Sequence, residues 1–242
     1  MRNIIAAAAL TAALATAASA GATEFVTNGT FTNLTTGLGQ LGVATTAVGW
    51  STNPVSPSYE FVFAVADQAV NGQYGALSLW DAANGGANAW NGLAAGPGNF
   101  VALDGAFQDA ALQQTINGLT IGQTYHLSFN YAFAQQTGFS GDTTQNLSVS
   151  LGAFSATSSD IVLPNHGFSG WGAANFDIVA TATSETLSFL SVASPQLPPF
   201  ALVSNVSLTG GVPEPATWAM MLVGFGGLGA LIRRRARRAV EA

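Results

Sequence analysis

From Thr124 to Phe133 the side chains alternate without a break. Tyr125, Leu127, Phe129, Tyr131 and Phe133 fall on one face, and Thr124, His126, Ser128, Asn130 and Ala132 on the other. Side chains of a β-strand point to opposite faces with a period of two, so this run is best satisfied as a strand with one face in an apolar core. Leu147, Val149 and Leu151 alternate with Ser148 and Ser150, Leu187 and Phe189 with Thr186 and Ser188, and Leu202, Val206 and Leu208 share a face. Less regular strands are expected at 24–31, 59–65, 75–80, 99–104, 111–116 and 174–182. Turn signals punctuate them: Asn71-Gly72, Gly96-Pro97-Gly98, Asn117-Gly118, Gly141-Asp142 and Gly210-Gly211. No helical period stands out between residues 21 and 211. The reading is an all-β chain, a single β-sandwich of jelly-roll type over 21–211. Ala82 to Gly98 reads as a long loop and Thr32 to Pro57 as irregular. A chain of 242 residues accommodates one such domain with room for two terminal segments.

Both ends read as addresses. Residues 1–20 have the build of a secretory signal peptide: Arg2, an apolar run from Ile4 to Ala18, and the small-x-small pattern Ala18-Ser19-Ala20. At the other end, Pro213-Glu214-Pro215 precedes an uncharged run from Ala216 to Ile232, followed by Arg233-Arg234-Arg235-Ala236-Arg237-Arg238. As a helix, 216–232 would be about 25 Å long, a short but feasible transmembrane span. Trp218 sits where an interfacial aromatic belongs, and the arginines would keep 233–242 cytoplasmic. The chain has no cysteine, so an exported domain of this sequence holds together by burial rather than disulfides.

The tail, residues 212–242, closely resembles the PEP-CTERM sorting signal of Gram-negative bacteria. The match runs through Pro213-Glu214-Pro215, Ala216 to Met221, Gly224-Phe225-Gly226-Gly227 and the Arg cluster. The resemblance implies recognition by an exosortase in the membrane, transient anchoring, cleavage near Pro213-Glu214-Pro215, and a final place at the cell surface or in a biofilm matrix. A permanent single-pass anchor is the plainer alternative.

The body resembles galactose-binding-like, carbohydrate-binding-module-like jelly rolls. Asn28-Gly29-Thr30-Phe31, Asn99 to Gly105, Leu119 to Tyr125, Pro198 to Leu202 and Val206-Ser207-Leu208 carry the likeness. It implies the fold and leaves the ligand open. It also implies a structural calcium between the chain ends. The corresponding positions here are Thr32, Ser204 and Asn205, all uncharged, whereas calcium favours carboxylates among its oxygen ligands. Backbone carbonyls are the remaining ligands there, so the expectation is no cofactor, with structural calcium as the alternative.

Charge narrows the function. There is no lysine, and all six arginines are terminal: Arg2 and five between 233 and 238. Glu214 and Glu241 are the two of twelve acids outside the body, which leaves ten acids and no cationic side chain within it. Phosphate-backbone binding needs clustered Lys or Arg, so nucleic acid is excluded as a partner of the body. Catalytic signals are thin. His126 and His166 lie forty residues apart with no metal-ligand spacing, and no Gly-x-Ser-x-Gly elbow is present. Asp104 and Asp109 are candidate paired carboxylates, although Asp104 before Gly105 reads first as a turn residue. Sugar binding asks for less: a flat aromatic face and neutral hydrogen-bonding groups. Trp80, Asp81, Asn84, Asn88 and Trp90 supply both within one Gly-rich stretch. The competing reading makes Trp80 the end of a core strand and Trp90 a pin for the loop. Trp50 and Trp171 read as rim aromatics or core edges.

The leading reading is a non-catalytic surface or matrix protein with exopolysaccharide as its candidate ligand. A secreted glycosidase-like enzyme and a purely structural matrix protein are the alternatives. Because counterion release requires cations, the body should pass through heparin and DNA columns unretained at neutral pH. Salt-sensitive retention would contradict the charge argument.

Overall fold

The computed structural model describes residues 22–53, 59–64, 77–80, 98–107, 109–210 and 224–225. The expected signal peptide, most of the loop from Ala82 to Gly98, and the tail apart from 224–225 lie outside the described residues. Ala22–Gly211 form one compact unit. Residues 224–225 are helical. Among the described residues no helix is long and apolar enough to cross a membrane.

In chain order the described strands are β1 (Thr23–Glu24), β2 (Gly39–Gln40), β3 (Ser51–Asn53), β4 (Glu60–Ala64), β5 (Asn99–Asp104), β6 (Ala111–Asn117), β7 (Thr124–Gln135), β8 (Thr143–Leu151), β9 (Phe154–Thr157), β10 (Ile161–Leu163), β11 (Gly172–Val179), β12 (Ser184–Ser194) and β13 (Pro199–Gly210). They form two antiparallel sheets. The larger runs β11-β7-β13-β5-β4-β2, with β1 beside the end of β13; the smaller runs β10-β8-β12-β6-β3, with β9 beside β8. The sheets pack face to face as a β-sandwich.

The alternation of β7 is satisfied from Thr124 to Phe129; beyond it Tyr131 is only partly buried, and Ala132 on the opposite face is enclosed in the outer core. Tyr125, Leu127, Phe129 and Phe133 are buried in the core between the sheets, against Leu147, Val149 and Leu151 of β8 and Leu187 and Phe189 of β12. Other strands of the larger sheet do not alternate. Phe61-Val62-Phe63, Phe100 to Leu103 and Phe200 to Val203 are apolar on both faces because both faces are covered. Val62, Val101, Leu103, Ala201 and Val203 point into the inter-sheet core. Phe61, Phe63, Phe100, Phe200 and Leu202 build a second core on the outer face, roofed by Leu77, Leu79, Phe168 and Trp171. Each fully buried ring contributes about 1.5–3 kcal/mol.

Three expectations change. The strand expected over 24–31 stops at Glu24. Asn28 and Phe31 adopt positive φ, 55° and 52°, and the chain turns there to bury Phe31 against Trp50 at 5.1 Å. The Asn28 side chain locks the turn, accepting from the Asn33 N–H and donating to the Asn33 and Val48 carbonyls. Of the strand expected at 75–80, the described part is a single bridge from Leu79 to Gln136. The irregular stretch after Thr32 contains two short strands, β2 and β3. Trp50 and Trp171 are both core residues: the Trp50 indole donates to the Thr27 carbonyl, and Trp171 packs edge-on against Phe100 at 5.5 Å.

Glu185 opens β12 as a buried carboxylate without a cation. Its Oε1 accepts from the Thr181 N–H and hydroxyl and from the Ala182 N–H. Burial alone would raise its pKa, but these hydrogen bonds together hold it below the ordinary 4.5. Gly152, with φ of 56°, makes room for it: a Cβ there would lie 2.5 Å from Oε1.

The long strands define two poles. Pro199 pairs with Gln135 at one end of β13, and Gly210 pairs with Tyr125 and Thr23 at the other. Both chain ends of the unit therefore emerge at the Gly210 pole. The pole at Gln135 is about 33 Å away along β7, at roughly 3.3 Å per residue.

Candidate functional site

The distal pole, where β7 ends and β13 begins, gathers the polar and aromatic groups. Trp80 is there because its N–H donates to the Gln135 carbonyl at 2.8 Å, one residue after Leu79 enters the outer core. It is half-buried. Its ring stacks on the imidazole of His166, with centroids 4.2 Å apart and planes 24° from parallel. His166 is fixed by a left-handed backbone, φ 59°, and by its N–H, which donates to Gln135 Oε1 at 2.7 Å. Gln135 Nε2 donates in turn to the Gly141 carbonyl. One buried glutamine thus ties the 140s turn and the 160s turn to the end of β7.

Exposed polar groups surround the stack. Asn165 Oδ1 accepts from the Gly141 N–H at 2.7 Å, and Asp142 Oδ1 accepts from the Asn165 N–H at 2.9 Å. Asn165 Nδ2 and Asp142 Oδ2 remain for a ligand. Ser140 Oγ lies 3.4 Å from His166 Nε2, and Phe139 is exposed on the same turn. Ser78 and Thr137 join hydroxyls beneath, closing the connection between the Trp80 segment and β7. The arrangement is a flat aromatic stack fringed by an amide, a carboxylate and a hydroxyl.

Of the residues read as a sugar site from sequence, Trp80 stands in this cluster, while Asp81, Asn84, Asn88 and Trp90 lie outside the described residues. Pro213, Glu214, Pro215, Trp218, Arg233, Arg234 and Arg235 do as well. His166, Ser140, Asp142 and Asn165 were not read as its partners. Two local signals point to them, Pro164-Asn165-His166-Gly167 and Ser140-Gly141-Asp142, but nothing in a linear chain sets either beside Trp80.

The catalytic readings find weaker geometry. Ser140 and His166 are further apart than the 2.6–3.2 Å of an engaged nucleophile–base pair, and the carboxylate that would orient the histidine is bonded to the Asn165 N–H instead. His126 pairs with Asp177 across β7 and β11 at 2.9 Å, both exposed. That is a surface pair of small energetic worth. Asp104 ends β5 and caps the following turn, accepting from the N–H groups of Ala106 and Phe107. Only 2% exposed, it is a turn residue, as its place before Gly105 suggested. Among the described residues no three His, Asp or Glu side chains converge on a metal position. The calcium positions implied by resemblance do not fit that ion. Thr32 shares a hydroxyl contact with Thr30, Ser204 is enclosed within the sheet, and none of the three offers a carboxylate. A separate pocket of about 120 Å³ opens between the sheets, walled by Phe129, Tyr131, Leu147, Val149 and Phe176. Its walls are mainly apolar, with Thr157 and Ser158 also on the lining.

Residues 211–238 match the family model of the PEP-CTERM protein-sorting motif. No curated protein matches the chain. Solved structures similar to it include the CBM22-1 xylan-binding domain of Paenibacillus barcinonensis Xyn10C, 10% identical, covering 81% of this chain and 100% of that one with a TM-score of 0.36. A CBM4 module is 15% identical, covering 76% and 99%, with a TM-score of 0.34. The TmCBM61 module, solved with β-1,4-galactotriose, is 16% identical, covering 64% and 90%, with a TM-score of 0.33.

Burial pushes the Asp104 carboxyl up from 3.8 to about 6; its two backbone hydrogen bonds pull the other way, and the charge of Asp109 adds to the rise. The folded protein therefore holds this proton to higher pH than the unfolded chain does. Stability should fall as pH rises from about 4 through 6, by up to about 3 kcal/mol at 1.36 kcal/mol per unit. Thermal melts of Asp104→Asn should lack that decline relative to the parent. Parallel pH profiles for the two proteins would refute the assignment.

Proposed function

We propose that this is an exported protein, sorted by an exosortase to the cell surface or biofilm matrix, whose β-sandwich binds a neutral glycan without chemistry. The observation that carries the binding reading is the Trp80–His166 stack with Asn165 and Asp142 at its edge. A pyranose lays a face of C–H groups on an aromatic plane, while its hydroxyls exchange hydrogen bonds with amide and carboxylate groups. Ten acids and no cation in the body disfavour a bare polyanion and favour a neutral polymer such as an uncharged exopolysaccharide.

The matched sorting motif begins at residue 211, directly after β13 ends at Gly210. Within the body, the Trp80–His166 cluster lies at the pole opposite the last residue of β13.

Two measurements test the reading. On a panel of neutral oligosaccharides, Trp80→Ala and His166→Ala in the full-length protein should each weaken binding by about 1–3 kcal/mol, by analogy with base–aromatic stacking. Melting temperatures recorded alongside separate lost contacts from lost folding, and full affinity in a folded variant would remove the site. For sorting, mass spectrometry of protein extracted from the native cell surface should find a C-terminus near residue 214. An intact Ala242 in the mature protein would overturn processing.

A further inference from the structure

A second aromatic pair stands at the same pole. Tyr59 and Phe107 have ring centroids 5.4 Å apart and planes 46° from parallel. Phe107 is 46% exposed, unusual for a phenylalanine in a turn whose neighbours are otherwise fixed. The turn is rigid: Asp104 accepts from the Ala106 and Phe107 N–H groups, the Gly105 N–H donates to the Pro199 carbonyl, and Gln196 Nε2 donates to the Ala106 carbonyl at 2.8 Å. Phe107 is thus held out by structure built around it.

The two aromatic pairs share a foundation. Tyr59 packs against the outer core that also contains Leu79 and Phe168, which adjoin Trp80 and the His166-Gly167 turn in sequence. Both loops are hydrogen-bonded to the entry of β13: Gly105 N–H to the Pro199 carbonyl, and Gln136 N–H to the Pro198 carbonyl. Strands β5 and β7 flank β13 on its two sides. At 4.7–4.9 Å per strand spacing their ends lie about 10 Å apart. The strand ends from which the two loops leave are thus set further apart than one pyranose ring is wide, so a single sugar does not reach from one strand end to the other.

We infer that Tyr59 and Phe107 form a second stacking subsite, so that the distal pole takes a stretch of polysaccharide chain spanning both aromatic pairs rather than a single terminal sugar. The inference rests on the glycan reading above and assigns it a chain-length requirement. The carboxylate of Asp109, exposed beside the turn, supplies an acceptor for hydroxyls at this end, as Asp142 does at the other.

The test is calorimetric titration of the full-length protein with neutral gluco-, xylo-, galacto- and mannooligosaccharides of one to six units. Affinity should climb with length until both pairs are bridged and then level. Phe107→Ala should cost about tenfold for the longer oligomers, the factor that stacking of this kind supplies, and leave the mono- and disaccharide unchanged. Phe107→Tyr, which keeps the ring, should bind as the parent does. Because Phe107 is half-exposed, its removal spares the fold, and the melting temperature checks that. Affinity that ignores chain length, or a folded Phe107→Ala that binds long oligomers normally, overturns this inference and leaves the Trp80–His166 site standing. Absence of binding across the panel overturns both.

Discussion

Coverage of both faces of the larger sheet is the constraint on which the rest of this structure hangs. One face meets the smaller sheet through Val62, Val101, Leu103 and Val203; the other is roofed by Leu77, Leu79, Phe168 and Trp171 over Phe61, Phe63, Phe100 and Phe200. Without that roof several rings would stand in water, an apolar patch that soluble domains rarely tolerate. The roofing segments must end somewhere, and they end at the distal pole. Trp80 follows Leu79, and His166 precedes Phe168 by two residues. The aromatic stack is the rim of a covering that packing requires, so its position is fixed by burial and not by loop chance.

A second constraint is the missing cation. With no Lys or Arg in the body, Asp177 beside His126 is the carboxylate with an ion-pair partner among the described residues, and several others turn to backbone N–H groups instead. Glu24 accepts from Phe25, Val26 and Leu208, Glu185 from Thr181 and Ala182, Asp104 from Ala106 and Phe107, and Glu60 from Ala110. Such bonds anchor turns and strand ends where unpaired N–H groups would otherwise need water. They also make these acids structural. Asp142 makes such a bond too, from the Asn165 N–H, but it stands exposed at the rim of the Trp80–His166 cluster, and Asp109 is exposed two residues after Phe107.

The fold was legible wherever one face met water. The alternation of Thr124 to Phe133 gave both the strand and its buried side, and Leu147, Val149 and Leu151 did the same for β8. Continuous runs such as Phe100 to Leu103 announced a strand without saying that two cores would share it. The turn at Asn28–Phe31 was legible only in part: Asn28-Gly29 is a turn-type pair and asparagine is enriched at positive φ, but positive φ at Phe31 leaves no mark in residue type; the burial of Phe31 and the Asn28 side-chain bonds decide it. The proposed site was legible only at Trp80, whose neighbours suggest a stacking surface; His166 reaches it only through the pairing of β7, and Tyr59 meets Phe107 only through that of β4 with β5. Contacts of that kind are properties of sheet order, which a local pattern does not contain.

Strand β13 is the last of the described strands and lies in the middle of its sheet, between β5 and β7. Before it arrives, the larger sheet exists only as two unconnected fragments, β11-β7 and β5-β4-β2, neither with its edge satisfied. Folding of the body is thus deferred until residues 199–210 are free to insert, the slow, non-local step of such a topology. In the chain those residues lie immediately ahead of the matched sorting segment. The strand that closes the larger sheet and the segment that carries the sorting motif are thus neighbours in sequence, and trimming the body from its C-terminal side removes the sheet's central strand first.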